Sequence, residues 1–158
     1  MGYMVRCSST IGNCKLYPPV IGPFLMKYTL NLPDSARRHF AAAEELIKTD
    51  RSDVAGYLYG IATECAVKAM MLQAGIKPLP AAQKRDDPFF QHYPQLQSAL
   101  RDRLKGRVSS PLHQFVNNQE FLQHWNTDMR YAPGKEIKSL WVKKWQVQAH
   151  QTVNSIGT

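Results

Sequence analysis

Arg130 stands in the run Asp128-Met129-Arg130-Tyr131, with a carboxylate on one side and an aromatic ring on the other. A guanidinium presents a planar fork of donors that matches phosphate oxygens two at a time, and it stays charged at any physiological pH. The chemistry this run points to is therefore the binding of an anion such as phosphate, with Tyr131 and Lys135 as further candidates beside it. The same residues also allow a plainer use, in which Asp128 and Arg130 pin a loop and Tyr131 packs over it.

Glu64 is the second candidate because it interrupts the small, apolar stretch Gly60-Ile61-Ala62-Thr63-Glu64-Cys65-Ala66-Val67. A carboxylate in such surroundings is costly unless it meets a cation or a donor. Arg130 would join the two features into one polar centre; Lys68, one helical turn on, would instead make an ordinary helix-surface pair. His92, ahead of Tyr93-Pro94, can serve proton transfer near neutral pH or simply cap or pack the start of a helix. His39, His113, His124 and His150 are isolated imidazoles, and Cys65 reads as a small core residue.

Several classes of chemistry are excluded. The chain has no HExxH, GxSxG, GxGxxG or GxxxxGK[ST] pattern. Its cysteines, Cys7, Cys14 and Cys65, are odd in number and lack CxxC spacing, so neither a disulfide framework nor a zinc site is expected, and no cofactor is implied. Twenty Lys and Arg against 12 Asp and Glu give a net charge of +8, which attracts anionic partners without fixing a function. Arg101, Arg103, Lys105 and Arg107, with Lys138, Lys143 and Lys144, would form an anion-binding face if they met around Arg130; apart, they are solvated surface. The longest apolar run, about 66–72, falls well short of the ~20 residues a membrane span requires. With no signal-peptide pattern either, the cytoplasm is the expected compartment.

The elements that must position these residues are helical. Residues 1–33 are rich in Pro and Gly and read as an irregular arm, with Met26 a candidate alternative start. A first helix is expected from about Ser35 to Lys48, capped by Asp34 or Ser35. A second runs from about Asp53 to Gln73, capped by Ser52 and stopped at Gly75; its small-sided surface makes it the central element. Residues 76–91 read as a long exposed loop. A third helix is expected from Pro94 to Gly106, and a further helical span from Ser109 or Ser110 to Trp125, divided at Asn117-Asn118. The last, about Ile137 to Val153, carries Ile137, Trp141, Trp145, Ala149 and Val153 at steps of four. The fold class is all-α: an up-and-down bundle of four to five helices over 34–155, followed by a short tail, 156–158.

Four features resemble the HEPN superfamily of small prokaryotic helical domains. They are Gly56-Tyr57-Leu58-Tyr59-Gly60-Ile61-Ala62-Thr63-Glu64-Cys65-Ala66-Val67-Lys68-Ala69, His92-Tyr93-Pro94-Gln95-Leu96, the segment Trp125 to Tyr131, and the terminal amphipathic helix. The resemblance implies a homodimer formed across the polar face. It also implies a role in defence or toxin–antitoxin-type systems, as a ribonuclease, a nucleotide- or RNA-binding protein, or a partner of a nucleotidyltransferase-like protein. The ribonuclease members carry Arg, four to six intervening residues, then His. Arg130 matches the arginine, but Lys135, Glu136 and Ile137 occupy the stations where the histidine belongs. The reading that follows is a noncatalytic nucleotide- or RNA-binding protein with Arg130, Tyr131, Glu64, Asp128 and Lys135 at the site. A metal-independent endoribonuclease, with Arg130, Glu64 and His92 as its catalytic candidates, is the first alternative, and a structural partner protein the second.

Overall fold

In the computed structural model, which describes residues 28–104 and 111–157, five α-helices follow one another in the order expected. They are α1 (Leu32–Lys48), α2 (Ser52–Gln73), α3 (Gln95–Arg103), α4 (Leu112–Asn117) and α5 (Ser139–Asn154). No strand occurs among the described residues, so the chain is an all-α helical bundle. The helices belong to the unit that begins at Asn31; most of the proposed N-terminal arm lies outside the described residues.

Helix α1 starts earlier than expected, and neither Asp34 nor Ser35 is its cap. Asn31 Oδ1 accepts the Asp34 N–H at 3.1 Å, and Pro33 sits in the first turn, where it forfeits no helical hydrogen bond. Ser52 likewise opens α2 from inside the helix, with Arg51 at the cap position and no side-chain cap. The stop at Gly75 is as expected: its φ of 75° is natural for glycine, and the Ile76 N–H reaches back to the Met71 carbonyl at 2.9 Å.

Helix α2 is the central element and packs on both α1 and α5. Ala55, Ala62, Ala66 and Ala69 are buried along it, and their small side chains let the neighbouring helices approach. Glycines admit aromatic rings: a Cβ on Gly60 would fall inside the Trp125 indole, and one on Gly56 would lie 3.0 Å from both Val142 and Trp145 of α5. Where the three helices meet, Glu44 Oε1 accepts from the Tyr59 hydroxyl at 2.6 Å and from Gln146 Nε2 at 2.8 Å. Leu96 and Leu100 of α3 and Leu112, Phe115 and Val116 of α4 complete the core.

Residues 76–91 form the long connection expected between α2 and α3, and they are locally ordered. They contain two 3-10 turns, Ala81–Asp86 and Pro88–Phe90, joined at Asp87. Asp87 is fully buried; Oδ2 accepts the Leu79 N–H at 2.9 Å and Oδ1 the Phe89 N–H at 3.0 Å. One carboxylate thus holds both ends of the loop. The span expected to run on to Trp125 divides at Asn117-Asn118, as foreseen, and continues as turns.

Candidate functional site

Asp53, Tyr57, Gly60, Glu64 and Lys68 recur at steps of three or four along α2 and so lie on one stripe of the helix. The elements after α4 fold against its first half. Gly134 packs on Asp53, where an added Cβ would stand 2.6 Å from the carboxylate. Trp125 fits the notch at Gly60, stacks on Tyr57 at 6.1 Å and donates from Nε1 to the Tyr57 carbonyl at 3.3 Å.

One turn beyond Gly60 comes Glu64. Its carboxylate is buried and so is the ammonium of Lys68, 2.7 Å from Oε1. The helix-surface pairing considered from the sequence therefore exists, but inside the protein, where each charge compensates the other's loss of water. His92 supplies a third member: Nδ1 lies 2.9 Å from Oε1 and 3.1 Å from Oε2 of Glu64. A carboxylate only accepts, so Nδ1 carries the proton and Nε2 is left free on a side chain that is 51 % exposed. Next to it, Tyr93 is buried with a hydroxyl that has no partner. Burial, and then the charge of Glu64, hold that phenol well above the usual tyrosine range. Burial also pushes the Cys65 thiol up to about 11, with the Glu64 charge adding to it, which fits a half-buried thiol packed against the core and not a nucleophile.

Arg130 does not share this centre. The expected Glu64–Arg130 pair is corrected: Glu64 is taken by Lys68 and His92, the donors that α2 and the segment leading into α3 bring within reach. Arg130 sits in the 3-10 turn Thr127–Tyr131, exposed, with its guanidinium 5.0 Å from the Tyr131 ring centre and no ion pair among the described residues. Nor does Asp128 pin the loop: the turn is capped by Asn126, whose Oδ1 accepts the Asp128 N–H at 2.8 Å, and Tyr131 is 78 % exposed. Lys135 is exposed in the next turn, Gly134–Glu136. Of the other basic residues, Arg101 is committed to the Val116 carbonyl at 3.2 Å, while Lys105 and Arg107 lie outside the described residues.

A further group escaped sequence reasoning. His124 lies flat on Trp141, ring centres 4.4 Å apart and 21° from parallel, and Lys138 Nζ stands 4.9 Å from the same indole. His124 and Leu122 both have left-handed backbones, with φ of 66° and 51°. Each such non-glycine residue costs on the order of 1–3 kcal/mol and persists only where its surroundings impose it. Here α5 imposes it: Gln148 accepts the Leu122 N–H and donates to the Glu120 carbonyl, and Trp145 Nε1 donates to the Gln123 carbonyl at 2.9 Å. The single available signal, three tryptophans bracketing the Arg130 segment, does not reveal which rings meet.

Fold and site together define an all-α bundle with a buried Lys–Glu pair holding a surface histidine, and an open segment of cations over aromatic rings. No group of three or more His, Cys, Asp or Glu fit to hold a metal occurs among the described residues, and no helix there is long and apolar enough to cross a membrane. No family model, curated protein or solved structure matches the chain.

Proposed function

We propose that this is a HEPN-like protein that binds a nucleotide or RNA without cleaving it, in the cytoplasm, within a prokaryotic defence or toxin–antitoxin-type system. The observation that carries the reading is Arg130, exposed and free of any acidic partner among the described residues, poised over the open ring of Tyr131. A guanidinium so placed keeps its bidentate capacity for a phosphate, and the ring beside it has a face for a base. The net charge of +8 favours the encounter. Binding is preferred over cleavage because Lys135, Glu136 and Ile137 stand where the resemblance calls for a histidine.

One observation favours the ribonuclease as a second reading. Glu64 holds His92 by Nδ1 and leaves Nε2 at the surface, the arrangement by which a carboxylate orients a general base. Both readings are tested by incubating the protein with a mixed RNA pool, with and without added metal, and measuring bound and cut fractions together for wild type and Arg130→Ala. Retention without cutting, lost in the variant, supports the binding protein. Metal-independent cutting that disappears in Arg130→Ala and in His92→Ala supports the ribonuclease. Neither binding nor cutting moves the reading to a structural partner of another protein.

A further inference from the structure

We infer that the His124–Trp141 stack is a second base platform, and that the ligand is a single-stranded polynucleotide spanning from it to Arg130 and Tyr131. The inference rests on the nucleotide-binding reading above and narrows it from a nucleotide to a strand.

The platform is built. An imidazole at a surface turn is ordinarily free to swing, whereas His124 is laid on Trp141 by a backbone that Gln148 and Trp145 hold in the left-handed region at two non-glycine residues. Strain maintained in this way marks a conformation the fold enforces. His124 is exposed and gives one face to Trp141, which leaves the other for a base. Lys138, over the same indole, supplies charge for phosphates; Lys144 is partly occupied by Glu120 at 3.9 Å.

The site is open where a mononucleotide would need enclosure. The pocket beside the stack, lined by His124, Leu140, Trp141 and Lys144 among others, measures about 70 Å³. Cavities that enclose ligands of nucleotide size start at roughly 300 Å³. Open platforms instead gather affinity from several bases and phosphates, one stack at a time. The chain between the two platforms is folded over the first half of α2, through Trp125 at Gly60, Gly134 at Asp53, and Val142 and Trp145 at Gly56. Both platforms therefore belong to one end of the bundle. Ring faces and ammonium groups do not distinguish ribose from deoxyribose, so single-stranded RNA and DNA share the chemistry.

The test is fluorescence anisotropy of labelled oligouridines and oligothymidines of increasing length, with uridine monophosphate and a blunt duplex as competitors. His124→Gly is the informative variant because it removes the ring while suiting the left-handed backbone; a thermal melt confirms its fold, and Lys138→Ala offers a second route to the same platform. Affinity should rise with strand length, and His124→Gly and Arg130→Ala should each cost about tenfold on the long strand. Binding of oligouridine alone names RNA as the source, and equal binding of both names any single strand. If uridine monophosphate or the duplex competes as well as the long strand, or if neither His124→Gly nor Lys138→Ala weakens it while Arg130→Ala does, the strand inference is overturned and nucleotide binding stands. If nothing binds to wild type, both fall.

Discussion

Glu64 and His92, 28 residues apart in sequence, meet with Nδ1 of the imidazole 2.9 Å from one carboxylate oxygen and 3.1 Å from the other. The carboxylate is buried and already holds Lys68, so the ion pair inside the bundle fastens a ring at its surface. The start of α3 is thereby tied to the middle of α2.

Removing Lys68 from the buried Lys68–Glu64 pair leaves the carboxylate with the His92 N–H alone and no buried counter-charge. Lys68→Met is expected to destabilise the protein by about 3–5 kcal/mol, and the double variant Glu64→Leu/Lys68→Met to recover most of the loss. Urea midpoints at unchanged slope measure both. Equal losses in the single and double variants would show that packing, not charge, dominates here.

Tyr93 buries a hydroxyl without a partner. Such a group costs about 1–3 kcal/mol, so Tyr93→Phe should be neutral or stabilising by about 1 kcal/mol in the same urea experiment. A clear loss of stability would mean the hydroxyl is satisfied, by a buried water for instance.

Arg130→Ala should leave the thermal midpoint nearly unchanged, within about 0.5 kcal/mol, since the side chain is exposed and unpaired among the described residues. Its effect should fall on nucleic-acid retention, with the salt dependence reduced by about one phosphate contact. Unfolding of this variant would instead assign Arg130 to the scaffold.

The two aromatic notches on α2 should respond differently to one methyl group. Gly60→Ala places a carbon inside the Trp125 indole and should cost about 3 kcal/mol or more, with Trp125 displaced; Gly56→Ala meets Val142 and Trp145 at 3.0 Å and should cost about 1 kcal/mol. Tryptophan fluorescence and thermal melts separate the two outcomes.

Stability should decline in alkali. The Cys65 thiol is raised from 9.0 to about 11, and the Tyr59 and Tyr93 phenols are raised from 10.0, each chiefly by burial. The folded protein therefore keeps protons that the unfolded chain releases, and stability falls as pH climbs through 9 to 11 for Cys65, with the tyrosines adding above 10. Cys65→Ala should flatten the first part of that decline in melts taken across the range. An unchanged curve would place the alkaline loss elsewhere.

Helix positions were legible because apolar spacing survives in the sequence: Trp145, Ala149 and Val153 are buried at steps of four, and Gly75 ends α2. Caps were less so, since Asn31 competes with Asp34 and Ser35 only through backbone geometry. Glu64 and His92 were each visible as single residues, but Glu64 could be paired with Arg130 or Lys68 on residue type alone, and the choice depends on which helix face turns inward. Asp87 and His124 were hidden for a different reason. One sits in a charged run that reads as solvated, and the other depends on a left-handed turn that its own residue type does not announce.

The stripe Asp53, Tyr57, Gly60, Glu64, Lys68 gives α2 the property of a keyed shaft. A slip of one residue rotates a helix by about 100°. In α2 it would remove the notch from under Trp125 and the carboxylate from His92 in the same movement. Two independent mismatches penalise a one-residue slip, so a helix whose alanines and glycines would otherwise slide past their neighbours is held in register.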